Sequence, residues 1–377
     1  MANWTRVPLL VLLLWSHTTA GFYQQMVGGK VTDRQSITVP SDGVYLVTMV
    51  ADPDDGRVDL RLRINSKLND FTAYGQDDVI GGLTVAIPLN AGDKIYADPD
   101  GDYVWDSTSR LAAVLVTSDK STFRTLRCSL EAWMSNVHSE PYFYRSLQSN
   151  GEWVLNTGNL YYITVPSYGM YWVSARPDAG DKTMTIMVKQ KFGEYMSGEL
   201  FRVFLHEEDI ALSASGAFML SPDYPIFMES EDMKSQHRKL ETGTILSFVK
   251  LKEQGYAYTA RVNQTGRYSS NTRLGFHYPN TDKGNMYDTG AKFWSIRKAG
   301  VYIVSIRGDP VGNGSLVLRL MLKYKQIFRS FAEDGNPSGQ TAVFKFQLHD
   351  WISVNGDIGG SDVDVSTMVS IAFVASE

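Results

Sequence analysis

Short hydrophobic runs alternate with turn-forming residues along the chain beyond residue 20. In "VDLRLRI" (58–64) and "LVLRLML" (316–322), apolar and polar positions alternate with a period of two, and no segment keeps a helical period for three turns. Gly, Pro, Asn and Asp separate these runs, which is typical of short strands. The pattern predicts an all-β chain made of two-sheet sandwiches.

One phrase recurs three times along this pattern. It consists of Gly, a hydrophobe, Tyr, a hydrophobe, Val, and then Ser or Thr, and it occurs as "GVYLVT" (43–48), "GMYWVS" (169–174) and "GVYIVS" (300–305). The interval of about 130 residues is a whole small domain, too long for a solenoid repeat. Consecutive apolar positions predict a strand covered on both faces. The glycine predicts a sharp turn or close packing, and the buried tyrosine hydroxyl needs a hydrogen-bond partner.

The sequence around the phrases extends the similarity between the copies. Copy three contains "AYTARVN" (257–263) and "LGFHYPNTDKGNMYDTGAKF" (274–293), and it resembles the complement C1q globular head domain of the C1q/tumour-necrosis-factor jelly-roll superfamily. Copies one and two resemble that domain less closely. Only copy one keeps the family's Gly-Asp pair, at Gly92-Asp93, where copy two has Ser215-Gly216 and copy three has His349-Asp350. The resemblance implies ten-stranded jelly rolls that associate as trimers.

The prediction is therefore three tandem jelly-roll β-sandwiches. The predicted domains are 21–118, 126–252 and 256–377, and the first is expected to lack its N-terminal strand because no counterpart of the family's opening strand precedes its phrase. The connections between domains are short enough for the three to gather into a pseudo-trimer within one chain. Beads on a string and a homotrimer of chains remain open alternatives.

The first twenty residues predict a secretory signal peptide. One cation, Arg6, precedes the apolar run at 7–15, and small residues lead to cleavage after Ala20. The run is too short to span a membrane, which needs about 20 apolar residues. We expect a secreted, extracellular protein with no transmembrane segment.

Composition and charge narrow the chemistry. The chain has 377 residues, 43% hydrophobic and 20% charged, with a formal net charge of −5, which gives no footprint for a nucleic-acid partner. A single cysteine, Cys128, cannot form an internal disulfide, so it is either a small buried hydrophobe or an intermolecular bridge. Asn263 and Asn313 lie in N-glycosylation patterns.

No catalytic motif is present, which predicts a protein without enzymatic activity. The loops after the Gly-Asp-like strands of copies one and three are rich in carboxylates, which are the hard oxygen ligands that calcium prefers. An equally simple interpretation is that Asp and Gly form turns there. The predicted calcium ligands are Asp98, Asp100, Asp102, Asp357, Asp362 and Asp364.

The tripeptide Arg307-Gly308-Asp309 has the sequence that integrins recognise. It follows the phrase strand of copy three, where a turn would expose it as a ligand loop. The other copies also carry Asp, Gly and Pro at this point, so a simple need for turn formers is the alternative interpretation.

Taken with the resemblance, these patterns predict a secreted, non-enzymatic recognition protein of innate immunity. Its jelly-roll loops would bind carbohydrate, microbial-surface or protein ligands, as in a pattern-recognition or lectin-like protein. An extracellular-matrix or adhesion component that binds integrin is the second hypothesis. A tumour-necrosis-factor-like receptor ligand is the third.

Overall fold

The structure is a computed structural model. It describes the following residues: 23–30, 36–51, 57–76, 80–99, 104–127, 132–134, 145–148, 162–177, 184–192, 196–205, 213–230, 238–240, 244–251, 255–262, 265–266, 268–269, 271–312, 314–333, 338–359 and 362–376.

The first group of strands, here called unit one, forms two sheets of four strands each. The inner sheet has the order β1-β8-β3-β6 and the outer sheet the order β2-β7-β4-β5, and all neighbours are antiparallel. The strands are β1 (Tyr23–Lys30), β2 (Ile37–Thr38), β3 (Gly43–Ala51), β4 (Arg57–Ile64), β5 (Lys67–Gln76), β6 (Gly81–Leu89), β7 (Lys94–Pro99) and β8 (Val104–Thr117).

Unit two follows after a short 3₁₀ turn, Lys120–Thr122, which is the only helical element among the described residues. Its inner sheet has the order β11-β9-β18-β12-β15, its outer sheet the order β14-β13-β16, and β10 pairs with β17. The strands are β9 (Phe123–Arg127), β10 (Ala132–Met134), β11 (Arg145–Gln148), β12 (Gly169–Arg176), β13 (Met184–Lys191), β14 (Ser197–Leu205), β15 (Ala214–Leu220), β16 (Ile226–Ser230), β17 (Arg238–Leu240) and β18 (Ile245–Lys250).

Unit three has the most strands of the three units within the described residues. Its inner sheet has the order β21-β19-β31-β24-β28, and its outer sheet runs β22-β23-β29-β26-β27, with β20 beside β29 and a small β25-β30 pair. The strands are β19 (Ala257–Val262), β20 (Thr272–Arg273), β21 (Phe276–Lys283), β22 (Tyr287–Asp288), β23 (Phe293–Ser295), β24 (Gly300–Gly308), β25 (Pro310–Val311), β26 (Ser315–Leu322), β27 (Lys325–Glu333), β28 (Ser338–Phe346), β29 (Trp351–Gly359), β30 (Asp362–Val363) and β31 (Met368–Ala375).

The prediction of an all-β chain of sandwiches is confirmed. The expectation that unit one lacks its first strand is wrong. β1 pairs with β8, as β9 pairs with β18 and β19 with β31. Strand pairing uses backbone groups, so a segment unlike the family's opening strand still fills that place. The predicted domain bounds themselves stay a prediction.

Each phrase tyrosine makes the same kind of hydrogen bond. Each ring is fully buried, and each hydroxyl donates to the carbonyl oxygen four residues earlier: Tyr45 to Ser41 at 2.8 Å, Tyr171 to Ser167 at 2.9 Å, and Tyr302 to Lys298 at 2.7 Å. The bond ties the start of the phrase strand to the loop before it, and it satisfies a hydroxyl that would otherwise be buried without a partner. Burial raises the pKa of all three tyrosines.

The phrase glycine allows a close approach at the start of the same strand. Gly300 has a φ of 147°, and a Cβ placed on it would collide with the carbonyl oxygen of Ala375 on β31. Only glycine fits this conformation and this contact without strain. The predicted need for close packing at this position is thus confirmed in unit three.

Candidate functional site

The three units share one hydrophobic core in addition to the core between the two sheets of each unit. It is formed by alternate positions of the phrase strands: Leu46, Trp172 and Ile303 are equivalent, and all lie in this shared cluster. The intervening tyrosines face the core of their own sandwich. The consecutive apolar positions of the phrase therefore serve two cores, one on each face of the strand, as the sequence predicted. We call the shared cluster the axial core.

The edge strands of the inner sheets, β6, β15 and β28, build the contacts between units. β6 packs against β9 and β18 of unit two, β15 against β19 and β31 of unit three, and β28 against β3 and β8 of unit one. The contacts therefore run in one cyclic direction, with the edge of each sheet lying on the next. We call the contacts the one–two, two–three and three–one seams. A closed ring of this kind is the heterologous geometry of a cyclic trimer.

A pair of hydroxyls holds the backbone of the edge strand at the one–two seam. Ala86 on β6 donates its N–H to Ser247 Oγ at 2.9 Å and accepts a hydrogen bond from Thr125 Oγ1 at 2.6 Å. Ser247 and Thr125 lie opposite each other in the inner sheet of unit two, with their oxygens 2.9 Å apart. An edge strand has backbone groups that no neighbouring strand pairs, and here side chains of the next unit pair them.

The two–three seam repeats this arrangement. Ala217 on β15 donates its N–H to Ser370 Oγ at 2.8 Å and accepts from Thr259 Oγ1 at 2.8 Å, and the two hydroxyl oxygens are 2.6 Å apart. Ser370 and Thr259 occupy the same places in unit three as Ser247 and Thr125 in unit two. We call each set a hydroxyl clamp. The one–two and two–three seams are therefore held by the same arrangement of hydroxyl groups.

The three–one seam is different. Ala112 stands in unit one where the clamp serines stand in units two and three, opposite Thr48 of the phrase. Arg110 instead reaches from β8 into unit three, donating to the carbonyl oxygen of Ile327 at 2.6 Å. Its guanidinium lies 5.4 Å from the ring centre of Phe328 and 5.5 Å from that of Phe344. At this seam, a hydrogen bond and cation–π contacts of one arginine join the two units.

Arginines cross the other two seams as well. Arg176, at the end of β12, lies 4.8 Å from the ring centre of Tyr74 in unit one. At the two–three seam, Arg261 of unit three lies 2.9 Å from Glu199 of unit two, whose second oxygen accepts from Arg202 at 2.7 Å. Each seam therefore has a planar cation that bonds or stacks across it, which is the role that guanidinium geometry suits.

The charges at the two–three seam shift several pKa values. Burial alone would raise the pKa of Glu199, but the hydrogen bond from Arg202 and the charges of Arg261 and Arg202 bring it below its ordinary value. Burial lowers the pKa of Arg307 and raises that of Asp309, and neither charge fully compensates the other. The pKa of Glu199 is therefore lowered at this seam, whereas that of Asp309 is raised.

The structure places the integrin-type tripeptide inside the protein. Arg307 is 2% exposed, donates to the Ser366 carbonyl oxygen at 3.0 Å and pairs with Asp309 at 3.2 Å. Asp309 also accepts from the hydroxyl of Ser366, and Gly308 is buried at the end of β24. The expectation of an exposed ligand loop is wrong, because this arginine belongs to the buried charge network of the seam.

The predicted calcium ligands do not converge among the described residues. Asp98 pairs with Arg63, and Asp357 pairs with Arg319 at 2.6 Å. Asp364 accepts from the Ser366 backbone at 2.7 Å. No group of three His, Cys, Asp or Glu side chains forms a metal-binding arrangement within the described ranges, Asp362 included. The calcium prediction stays a prediction.

Several predicted residues lie outside the described residues. They are Asp100 and Asp102 of the acidic loop, Cys128, the glycosylation acceptors Asn263 and Asn313, and the signal-peptide residues up to Ala20. Within the described part of the chain, no helix is long and apolar enough to cross a membrane.

A cleft of about 330 Å³ opens at the one–two seam. Phe71, Leu89 and Lys67 lie among its lining residues. Asn65, Asp93 and Thr125 are further polar residues of the lining, and Asn65 donates a hydrogen bond of 2.6 Å to Asp93. A concave site of this volume, lined by apolar residues and a few polar groups, is the usual form of a small-ligand site.

The hydroxyl clamps were not predicted from the sequence, although the sequence contains a signal for them. The phrase ends in Ser or Thr in every copy, and further hydroxyl residues lie level with it in each inner sheet, namely Thr84, Thr125, Ser215, Ser247, Thr259, Thr341 and Ser370. All are buried. Rows of buried hydroxyls in otherwise apolar strands indicate that polar partners lie nearby.

Comparison with known proteins gives only distant likenesses. No protein-family model matches the chain. No curated protein matches it either. The crystal structure of murine APRIL at pH 5.0 is 19% identical, covers 34% of this chain and 98% of its own, and has a TM-score of 0.28. The globular domain of zebrafish complement 1qA is 12% identical, covers 32% of this chain and 99% of its own, and has a TM-score of 0.27.

A triple jelly-roll structure from the turret assembly of an archaeal virus spans most of the chain. It is 10% identical, covers 92% of this chain and 83% of its own, and has a TM-score of 0.22. At these TM-scores, none of the three structures assigns a function to the chain.

Proposed function

We propose that this chain is a secreted, non-enzymatic recognition protein that folds as a single-chain trimer of jelly-roll units. The axial core carries the proposal, because residues of all three units bury one another there. The inner sheets bond through the two hydroxyl clamps and the seam arginines rather than standing apart as beads on a string. One chain thus supplies the threefold body that other proteins assemble from three.

The connection between units one and two supports assembly within the chain. β8 ends at Thr117 and β9 begins at Phe123, so five residues join two inner sheets that pack together. Asp119 caps the 3₁₀ turn by accepting from the Ser121 backbone at 2.9 Å. A tether this short gives an effective concentration near millimolar, which favours contact within the chain over contact between chains.

Solution scattering with light scattering tests this assembly. A compact monomer of the mature chain should have a radius of gyration of about 21 Å. An elongated particle well beyond that size would contradict the single-chain trimer. So would a stable trimer of chains.

The ligand that we propose is an extracellular carbohydrate, microbial surface or protein, with the cleft at the one–two seam as its site. A glycan array, run with and without calcium, should give a carbohydrate signal that Lys67→Ala weakens. Lys345→Ala changes an exposed lysine of unit three and is the matched control. An array with no signal above background would remove carbohydrate as the ligand and leave a protein ligand to be sought.

Calcium binding by the acidic loop of copy one is a separate proposal. Asp100→Asn with Asp102→Asn should abolish calcium binding in the micromolar to millimolar range that is usual for extracellular sites. Asp357→Asn should leave that binding unchanged, because Arg319 already pairs with this carboxylate. Mass spectrometry of the secreted protein tests cleavage after Ala20 and glycans on Asn263 and Asn313.

A further inference from the structure

Large apolar side chains are exposed mainly at one end of the protein. Among the described residues, eight large hydrophobic side chains are exposed. Six of them lie in loops at the end of the protein where the phrase strands begin. We call these six the aromatic end. They are Tyr168, Phe192, Met196, Tyr224, Tyr324 and Leu348.

Backbone hydrogen bonds hold these loops together in the same way in units two and three. In unit two, Phe192 directly follows β13, at the start of the connection to β14. Lys191 N–H donates to the Pro225 carbonyl oxygen at 2.9 Å. In unit three, Lys323 N–H donates to the Trp351 carbonyl oxygen at 2.9 Å. The hairpin tip of each outer sheet is therefore fixed beside the loop that leaves β15 or β28.

The two sets of loops lie at the same end of the axis. The edge strands β15 and β28 run side by side in one direction, because the equivalent residues Ser215 and Thr341 meet at 2.6 Å and Gly339 packs against Ser213. β15 then ends at Leu220, shortly before Tyr224, and β28 ends at Phe346, shortly before Leu348. Tyr23 of β1 pairs with Val114, so β1 begins toward this end as well.

The exposed rings stand on ordered supports. Tyr324 is 88% exposed and lies edge-on against Trp351, with ring centres 5.2 Å apart. Phe192 lies against Tyr224 with ring centres 5.3 Å apart. Rings held outward in this way lose little further side-chain freedom when they bind.

Basic residues flank the apolar tips. Lys323 and Lys325 lie on either side of Tyr324, and Lys191 precedes Phe192. Lys250 donates to Ser167 at 2.9 Å, beside Tyr168. Further cations of these loops and strand ends are Arg297, Lys298 and Lys345.

Fewer acidic groups oppose them. In units two and three, the described carboxylates of the loops at this end are Asp223 and Asp350, and Asp350 pairs with Lys323 at 3.0 Å. Asp282 lies near the end of β21, next to Lys283. Glu194, Lys252 and Glu253 belong to the same loops and lie outside the described residues. The end therefore carries an excess of positive charge around its apolar tips.

We infer that the aromatic end docks on an anionic phospholipid surface. Its apolar groups project from separate loop tips rather than lining one cleft, which suits insertion into a soft planar layer. Aromatic rings settle at the level of lipid headgroups, and flanking lysines reach anionic headgroups while their stems stay apolar. An exposed apolar patch with a charged rim is the usual form of such a contact.

Unit one turns a polar surface to the same end. Its hairpin tip is Asn65 and Ser66, and its neighbouring loop contains Asn90, Ala91 and Asp93. Units two and three would therefore contact the membrane, and unit one, with its seam cleft, would stay in water. The inference goes beyond the proposed function, and a glycan array and a vesicle assay can succeed or fail independently.

Vesicle flotation with the secreted chain tests the inference. We expect binding to phosphatidylcholine vesicles that contain about 30 mol% phosphatidylserine, weaker binding to pure phosphatidylcholine, and loss of the difference at about 0.5 M salt. Phe192→Ser with Tyr324→Ser should lower the affinity at least tenfold. Lys191→Gln with Lys325→Gln should lower it by about fivefold per lysine on the anionic vesicles.

The opposite end supplies the matched control. Val311 and Val365 are the other two exposed large hydrophobics, 41% and 43% exposed, and Val311→Ser with Val365→Ser should leave vesicle binding unchanged. All of these positions are at the surface, so unchanged thermal melting should confirm that each variant folds. No binding to either vesicle, or an equal loss in the control, would overturn the inference. A dimer in light scattering that Phe192→Ser with Tyr324→Ser abolishes, without vesicle binding, would assign the surface to a second copy instead.

Discussion

Arg261 of unit three lies 2.9 Å from Glu199 of unit two, and this ion pair joins two sandwiches across a seam. Arg202 holds the other oxygen of the same carboxylate from within unit two. Glu199 is mostly buried, with 15% of its side chain exposed, so the loss of its charge would leave two guanidinium groups without their acceptor. The pair therefore predicts that stability at this seam depends on pH.

The first prediction concerns that pH dependence. The pKa of Glu199 lies below its ordinary value of 4.5, so its ionised form adds stability above about pH 4.5, and that contribution is lost as the pH falls through the lowered pKa. Glu199→Gln should therefore lower the unfolding free energy at pH 7 by about 1–3 kcal/mol, and the melting temperature should fall with it. The deficit should shrink at the acidic end of a melting series. The exposed carboxylate variant Asp223→Asn should match the wild type throughout, and a deficit in Glu199→Gln that does not change with pH would contradict the role of the charge.

The second prediction concerns the hydroxyl clamps. Thr125→Val with Ser247→Ala removes both partners of the Ala86 backbone and should cost about 1–3 kcal/mol for each group left unpaired. Thr259→Val with Ser370→Ala should cost a similar amount at the two–three seam, because the geometry is the same. Denaturant unfolding measures both, with the exposed Ser118→Ala as control. If only one double variant is destabilised, the two clamps are not equivalent in energy.

The third prediction concerns close packing at the two–three seam. A Cβ placed on Gly339 would lie inside contact distance of the Ser213 carbonyl oxygen, which is backbone and cannot rotate away. Gly339→Val should destabilise the protein by about 1–3 kcal/mol or more, by forcing the edge of β28 off unit two. Gly266→Ala has open space around the new methyl and should be close to neutral. A thermal melt of Gly339→Val equal to the wild type would show that the seam is looser than described.

The fourth prediction concerns the Arg307-Gly308-Asp309 tripeptide. Asp309→Ala should lower stability by about 3 kcal/mol, because it leaves the buried Arg307 without its carboxylate. Cell adhesion should be the same for the wild type and for Asp309→Glu, since Arg307 is not accessible to an integrin. Val311→Ser, at an exposed position of the strand that follows, controls for local disturbance. Adhesion that depends on Asp309 in a protein of normal stability would show that the tripeptide is accessible to an integrin.

The sequence predicted the features that arise within one unit. The sandwiches, the doubly covered phrase strand and the need of the tyrosine hydroxyl for a partner all follow from the spacing of residues within a few positions. The burial of Arg307 could not be predicted this way, because Glu199 and Arg202, which surround it with charge, belong to another unit. A turn rich in Gly and Asp looks exposed until the neighbouring unit covers it.

The first strand of unit one was missed for a different reason. The segment Tyr23–Lys30 has polar residues and two adjacent glycines, so it carries little of the apolar alternation that identifies a strand. Its pairing with β8 is a matter of backbone hydrogen bonds, and the sequence pattern reports mainly on side chains. The hydroxyl clamps were missed because a buried serine becomes informative only when the edge it binds is known.

The arrangement of three units in one chain also frees each seam from the other two. In an assembly of identical subunits, one substitution changes every interface at once, so a new feature must be tolerated three times over. Here Arg110 and its phenylalanine partners exist at a single seam, and the hydroxyl clamps persist at the other two. The same freedom lets two sectors of one end become aromatic and basic while the third stays polar. The surface of such a molecule can therefore differ from one unit to the next around its axis, which is impossible in a symmetric ring of identical subunits.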